Sequence, residues 1–117
     1  MNSKKNEIKS LLNQYKRILI TGGAGFIGSA LVRRLLEESN ALIFNLDKIG
    51  YASDLTSIDI RLKELSEIKN IQYQLLKLDL TEREKVDDVF NEIDPDLIFH
   101  LAAESHVDRS IDKPETF

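Results

Sequence analysis

The chain has 117 residues, 42% of them hydrophobic and 31% charged, with a net charge of −4 and no cysteine. That composition fits one soluble globular domain able to bury roughly two-thirds of its unfolded surface. It rules out disulfides, thiol nucleophiles and thiolate metal sites, and no apolar run approaches the ~18 residues of a membrane span. Charge is unevenly placed: residues 1–17 hold five Lys/Arg and one acid, and the remainder holds eleven basic and nineteen acidic residues. An acidic body argues against a nucleic-acid groove, and the basic start reads as a solvated helix face. No cleavable apolar segment follows Met1-Asn2-Ser3-Lys4-Lys5, so a cytoplasmic setting with no membrane partner is expected.

In chain order, Ile8, Leu11, Leu12 and Tyr15 recur at helical spacing, with Ser3 placed to cap, so residues 1–16 read as a helical or frayed extension. Residues 17–20 form a short apolar run ended by Thr21-Gly22-Gly23-Ala24-Gly25, a buried strand followed by a glycine turn. A helical period then predicts a helix over 26–38 with Ile27, Leu31 and Leu35 on one stripe. Residues 41–47 are apolar almost throughout, as suits a parallel sheet covered on both faces. Leu55, Ile58, Leu62 and Leu65 step at helical spacing, and a third strand is expected over 71–78. Thr81 and Glu84 have the spacing of a capping box. Val86, Val89 and Phe90 would face the core, and a fourth strand over 97–103 follows the turn at Asp94-Pro95-Asp96. This alternation predicts an α/β fold, a Rossmann-like doubly wound parallel sheet of about four strands in order 3-2-1-4.

Gly22, Gly23, Gly25 and Gly28 satisfy both common spacings of a dinucleotide-binding turn, between a predicted strand and a predicted helix. Glycine lets a pyrophosphate approach the backbone, and the amides and positive end of the following helix stabilise the anion. A purely structural glycine turn is the competing reading. Asp47 closes the second strand nineteen residues after Gly28, where a dinucleotide fold places the carboxylate that takes the adenosine ribose hydroxyls. A carboxylate there repels a 2′-phosphate, so NAD is expected over NADP; a strand-end turn aspartate is the alternative. Asp79 ends the third strand at the same edge of the sheet, as an adenine contact or as a helix-start aspartate. His100, inside an apolar strand, reads as a packed, hydrogen-bonded histidine rather than a catalyst. Tyr73 and Lys77 spell the Tyr-x-x-x-Lys of short-chain dehydrogenases. That pair needs a helix, where residues four apart are ~5–6 Å neighbours; on a strand they are about 13 Å apart. It is read as coincidence.

The segment Ile18-Leu19-Ile20-Thr21-Gly22-Gly23-Ala24-Gly25-Phe26-Ile27-Gly28-Ser29 resembles the start of the extended short-chain dehydrogenase/reductase superfamily. Asp47-Lys48-Ile49-Gly50-Tyr51-Ala52-Ser53-Asp54-Leu55 resembles one branch of it, the dTDP-glucose 4,6-dehydratases. So does His100-Leu101-Ala102-Ala103-Glu104-Ser105-His106-Val107-Asp108-Arg109-Ser110-Ile111, that branch's most distinctive motif. The likeness covers residues 17–117, and residues 1–16 have no family counterpart.

The resemblance implies a set of contacts with NAD. The turn of Gly22, Gly25 and Gly28 with the amides of Phe26 and Ile27 would meet the pyrophosphate. Asp47, Lys48, Ile49 and Gly50 would surround the ribose, and Asp79 and Leu80 would flank the adenine. Leu101, Ala102, Ala103, Glu104 and Ser105 would pass the nicotinamide side, and Ser105 and His106 would sit nearest a nucleotide-sugar substrate. Isoleucine at 49 and glycine at 50 depart from the family's usual leucine and threonine, which puts a hydroxyl contact near the ribose in doubt. The implied reaction is internal redox and loss of water, converting dTDP-glucose to dTDP-4-dehydro-6-deoxyglucose for deoxysugar biosynthesis. It needs a tyrosinate, a lysine and an acid–base carboxyl pair, which the family carries beyond the segment equivalent to Phe117. The chain is therefore expected to be the cofactor half of such a domain, inactive alone, with a homodimer as the candidate assembly of a full-length parent. Another nucleotide-sugar epimerase or dehydratase, or a non-catalytic NAD-binding module, are the alternatives.

Overall fold

Alternating strands and helices order the chain as expected. In the computed structural model, which describes residues 2–49 and 55–102, they are α1 (Asn2–Leu12), β1 (Arg17–Thr21), α2 (Phe26–Glu38), β2 (Leu42–Asp47), α3 (Thr56–Ser66), β3 (Tyr73–Lys77), α4 (Arg83–Ile93) and β4 (Leu97–His100). All four strands are parallel in the order β3-β2-β1-β4. The fold class and strand order expected from the sequence are those of the structure.

Strand geometry splits the core between two faces, because successive side chains point to opposite sides. Ile18, Ile20 and Ile43 point to one face, where they pack with Val32, Leu35 and Leu36 of α2 and Ile58 and Leu65 of α3. Leu19 and Leu46 point to the other, under Ile93 and the partly buried Val89 and Phe90 of α4. Each Leu or Ile taken fully out of water contributes ~1.5–3 kcal/mol. Strand order reverses between β1 and β4, so the crevice outside their carboxyl ends is the topological switch point, where doubly wound sheets bind ligands.

Two local expectations fail for identifiable reasons. Ile27 is 71% exposed. The buried face of α2 runs through Gly28, Ser29, Val32, Leu35 and Leu36, and its start is hidden in the apolar pattern because its first members are a glycine and a serine. The capping box does not form. The N-cap of α4 is Glu82, with no side-chain cap bond. Thr81 instead donates its amide to Asp79 Oδ1 at 3.0 Å, because the helix starts beyond the position Thr81 would need.

Side chains close the amino edge of the sheet. Asp96 Oδ2 and Oδ1 accept the amides of Lys16 and Arg17 at 2.8 and 2.9 Å. Lys69 Nζ donates to the carbonyls of Glu37 and Ser39 at 3.2 and 3.0 Å, capping the end of α2. In the extension, Leu12 and Tyr15 pack against the core, while Ile8 and Leu11 stay exposed.

Candidate functional site

The carboxyl edge is built from backbone packed too closely to admit side chains. Gly22 follows β1 with φ +79°, and a Cβ there would lie 2.6 Å from the amide nitrogen of Ala102. A Cβ on Gly28 would run into the carbonyl oxygen of Gly22, so only glycine lets α2 sit this close to the turn. A Cβ on Gly23 would strike the buried Asn45 side chain. Gly25 differs. Its Cβ would meet only the Gly22 carbonyl oxygen, at an ordinary 3.6 Å. Space, not packing, is what glycine preserves at this position.

That space opens onto the start of α2. Gly25 is the N-cap and supplies no side-chain cap bond, and the first turn carries no acid. The amides of Phe26, Ile27 and Gly28 have no carbonyl behind them within the helix, so donors and the positive helix end face the same opening. The flanking side chains of Phe26 and Ile27 are 92% and 71% exposed.

Asp47 stands beside this turn at the end of β2. Its Oδ2 accepts the Ala24 amide at 2.9 Å and its Oδ1 accepts the Ile49 amide at 2.8 Å. Each oxygen keeps a lone pair for a further donor. Ile49 takes φ +56°, a conformation strained for a β-branched residue, and Lys48 is exposed. On β3's side, the Thr81 amide and hydroxyl, with Lys48 adding to them, hold the Asp79 carboxyl below the usual carboxylate range. Leu80 packs in the α4-side cluster. Beyond β4, Leu101 donates its amide to the Thr21 carbonyl at 2.8 Å, and Ala102 donates to Thr21 Oγ1 at 3.4 Å.

The structure thus gathers Gly22, Gly25, Phe26, Ile27, Gly28, Asp47, Lys48, Ile49, Asp79, Leu80, Leu101 and Ala102 at the carboxyl ends of the strands or in the turns just after them. Gly50, Ala103, Glu104, Ser105 and His106 lie outside the described residues.

Tyr73 and Lys77 are on strand β3. The Tyr73 hydroxyl accepts Asn45 Nδ2 at 3.1 Å, and burial pushes its phenol above the usual range. They form no catalytic pair. Two features escaped the sequence reading. Asn45 is fully buried beneath the turn, and its Oδ1 has no hydrogen-bond partner. Thr21 Oγ1 lies 2.6 Å from His100 Nδ1, a contact that only the register of β1 against β4 reveals. Among the described residues no cluster could hold a metal ion, and no helix is long and apolar enough to cross a membrane.

The family model described as GDP-mannose 4,6 dehydratase matches residues 19–117. A probable dTDP-glucose 4,6-dehydratase of Sinorhizobium fredii is 48% identical over 101 residues, covering 86% of this chain and 27% of its own length. The dTDP-glucose 4,6-dehydratase of Neisseria gonorrhoeae is 46% identical over 96 residues, covering 82% and 26%. The chain thus spans about a quarter of the length of the curated relatives it matches. Among solved structures, dTDP-glucose 4,6-dehydratase from Bacillus anthracis in complex with NAD matches with a TM-score of 0.60 at 34% identity, covering 77% of this chain and 27% of that one. UDP-glucuronic acid 4-epimerase from Bacillus cereus in complex with NAD matches at 0.51 and 30% identity, covering 74% and 26%.

Proposed function

This chain belongs to the GDP-mannose 4,6 dehydratase family, and we propose that it is the NAD-binding N-terminal portion of a dTDP-glucose 4,6-dehydratase, a lyase of deoxysugar biosynthesis. One observation carries the dinucleotide reading. Gly25 leaves open, uncapped space in front of the first amides of α2, while Gly22 and Gly28 admit no Cβ. A pyrophosphate suits that opening in charge. Identity of 48% and 46% to curated relatives named as dehydratases supports this reaction over epimerisation, and among solved structures the dehydratase is 34% identical and the epimerase 30%.

The amides of Phe26 and Ile27 would hold the pyrophosphate. Asp47 would use its remaining lone pairs on the adenosine ribose, beside Lys48, Ile49 and Gly50, and would oppose a 2′-phosphate by like charge. Asp79 and Leu80 would flank the adenine. Leu101, Ala102, Ala103, Glu104 and Ser105 would line the nicotinamide side, with Ser105 and His106 toward a nucleotide sugar. When bound, NAD would supply a hydride acceptor for a sugar alcohol. The residues of this chain bind and orient; the 117 residues contain no helical Tyr-x-x-x-Lys, so they are expected not to turn over dTDP-glucose alone. A cytoplasmic homodimer is the proposed setting of the whole enzyme.

Calorimetric titration with NAD and NADP tests the reading. Saturable NAD binding, with NADP weaker, is expected. Absence of saturable NAD binding by the folded chain would overturn it.

A further inference from the structure

Thr21 is 2% exposed and ends β1 directly before the glycine turn. Its partner in the β1–β4 register is His100, the last residue of β4. The Thr21 hydroxyl lies 2.6 Å from His100 Nδ1 and 3.4 Å from the Ala102 amide nitrogen. A hydroxyl has one proton to give, and a backbone amide can only donate. Accepting from Ala102 leaves Thr21 its one proton, which His100 Nδ1 can accept. That arrangement requires the ring proton of His100 to sit on Nε2. The same Ala102 nitrogen is the atom a Cβ on Gly22 would strike, at 2.6 Å. An unbroken series of contacts therefore runs from the imidazole through the Thr21 hydroxyl and the Ala102 amide to the first glycine of the turn.

We propose that His100 is a positioning residue for the dinucleotide site: it fixes the Thr21 hydroxyl rotor, which holds the turn after β4 against Gly22. The effect on ligand affinity rests on the dinucleotide reading above; the role within the fold does not. His100 needs no contact with ligand for this. The 3.4 Å bond to Ala102 is long, so it is the link that loosens when the hydroxyl is free to rotate.

The test separates the two readings. On the ¹⁵N-labelled 117-residue chain at neutral pH, long-range ¹H–¹⁵N correlations report each histidine tautomer, and His106→Gln assigns the other ring. His100 is expected to carry its proton on Nε2; a proton on Nδ1 overturns the proposal. Amide exchange at Ala102 is expected to quicken about fivefold in His100→Phe, the loss of roughly one hydrogen bond. His100→Asn, which keeps an acceptor near the Nδ1 position, is expected to restore it. An unchanged Ala102 rate in the folded Phe variant, or no rescue by Asn, also overturns it. NAD affinity is expected to fall by the same factor in His100→Phe and to return in His100→Asn. If the native chain binds no NAD, the dinucleotide reading fails while tautomer and exchange still decide the role of His100. If His100→Phe does not fold, the tautomer of the native chain decides it.

Discussion

The two edges of the sheet close themselves by different means. At the amino edge, side chains satisfy the backbone: Asp96 takes two amides and Lys69 takes two carbonyls. At the carboxyl edge, backbone packs on backbone at Gly22 and Gly28, while the first amides of α2 are left facing an opening. Leaving donors unanswered costs stability, so an edge built this way retains capacity for a ligand. Asp47 works in both styles, holding two amides while each oxygen keeps a lone pair.

The sharpest attempt to break this contrast compares two glycines three residues apart. Gly28→Ala drives a methyl into the Gly22 carbonyl, backbone against backbone, and is expected to cost about 3 kcal/mol. Gly25→Ala meets an ordinary contact and is expected to stay within about 1 kcal/mol of the native chain. NAD affinity should nevertheless fall at least about tenfold in Gly25→Ala, because the methyl fills the space before the helix amides. Urea unfolding and calorimetry on both variants check the pair. Equal loss of stability with unchanged binding would erase the distinction between glycine kept for packing and glycine kept for access.

A second comparison sets one aspartate against another. Asp47→Ala removes two accepted amide bonds and is expected to cost about 1–2 kcal/mol, with NAD affinity falling as well. Asp96→Ala also removes two such bonds. It should lower the urea midpoint and leave NAD affinity where it was, because it acts at the far edge.

Much of this architecture was legible beforehand because it rests on periodicity. Continuous apolar runs marked buried parallel strands, and the glycine spacing marked the turn between β1 and α2. Reading Tyr73 and Lys77 as strand residues disposed of a misleading motif. What stayed hidden depends on register or on residues without an apolar signal. Thr21 meets His100 only once β1 is aligned with β4. Asn45, a polar residue in an apolar run, gave no hint that Tyr73 would answer its amide. The stripe through Ile27 was misplaced because Gly28, not an apolar side chain, makes the closest approach of α2 to the turn.

Acid should act on the amino edge through Asp96. The Lys16 amide leads in holding its carboxyl below the usual range, and the Arg17 amide adds to it. A carboxyl whose folded value is depressed contributes its stability above its unfolded value of ~3.9 and loses it as pH falls through the folded value. Asp96→Asn should therefore lower the urea midpoint at neutral pH, and the gap from the native chain should close below about pH 4. A gap that persists unchanged at low pH would show that the carboxylate charge is not what the two amides respond to.

The smallest expected effect tests whether α1 belongs to the amino-edge scheme at all. Lys9 Nζ lies 3.8 Å from Glu38 Oε2, with the lysine side chain 48% exposed and the glutamate 6%. Exposure of the lysine argues for little, since such pairs contribute ~0–1 kcal/mol. Burial of the glutamate argues for more, because its Oε2 has no hydrogen-bond partner. The nearby Lys69 decides between them. Its ammonium feels attraction from Glu38 and repulsion from Lys9, so removing Lys9 leaves Glu38 a cation and relieves a like-charge contact. Lys9→Ala should change stability by less than about 0.5 kcal/mol, and added salt should shrink even that. A loss as large as that of Asp47→Ala would mean that the extension holds the amino edge closed as firmly as Asp47 holds the glycine turn to β2, and α1 would then count as part of the domain core.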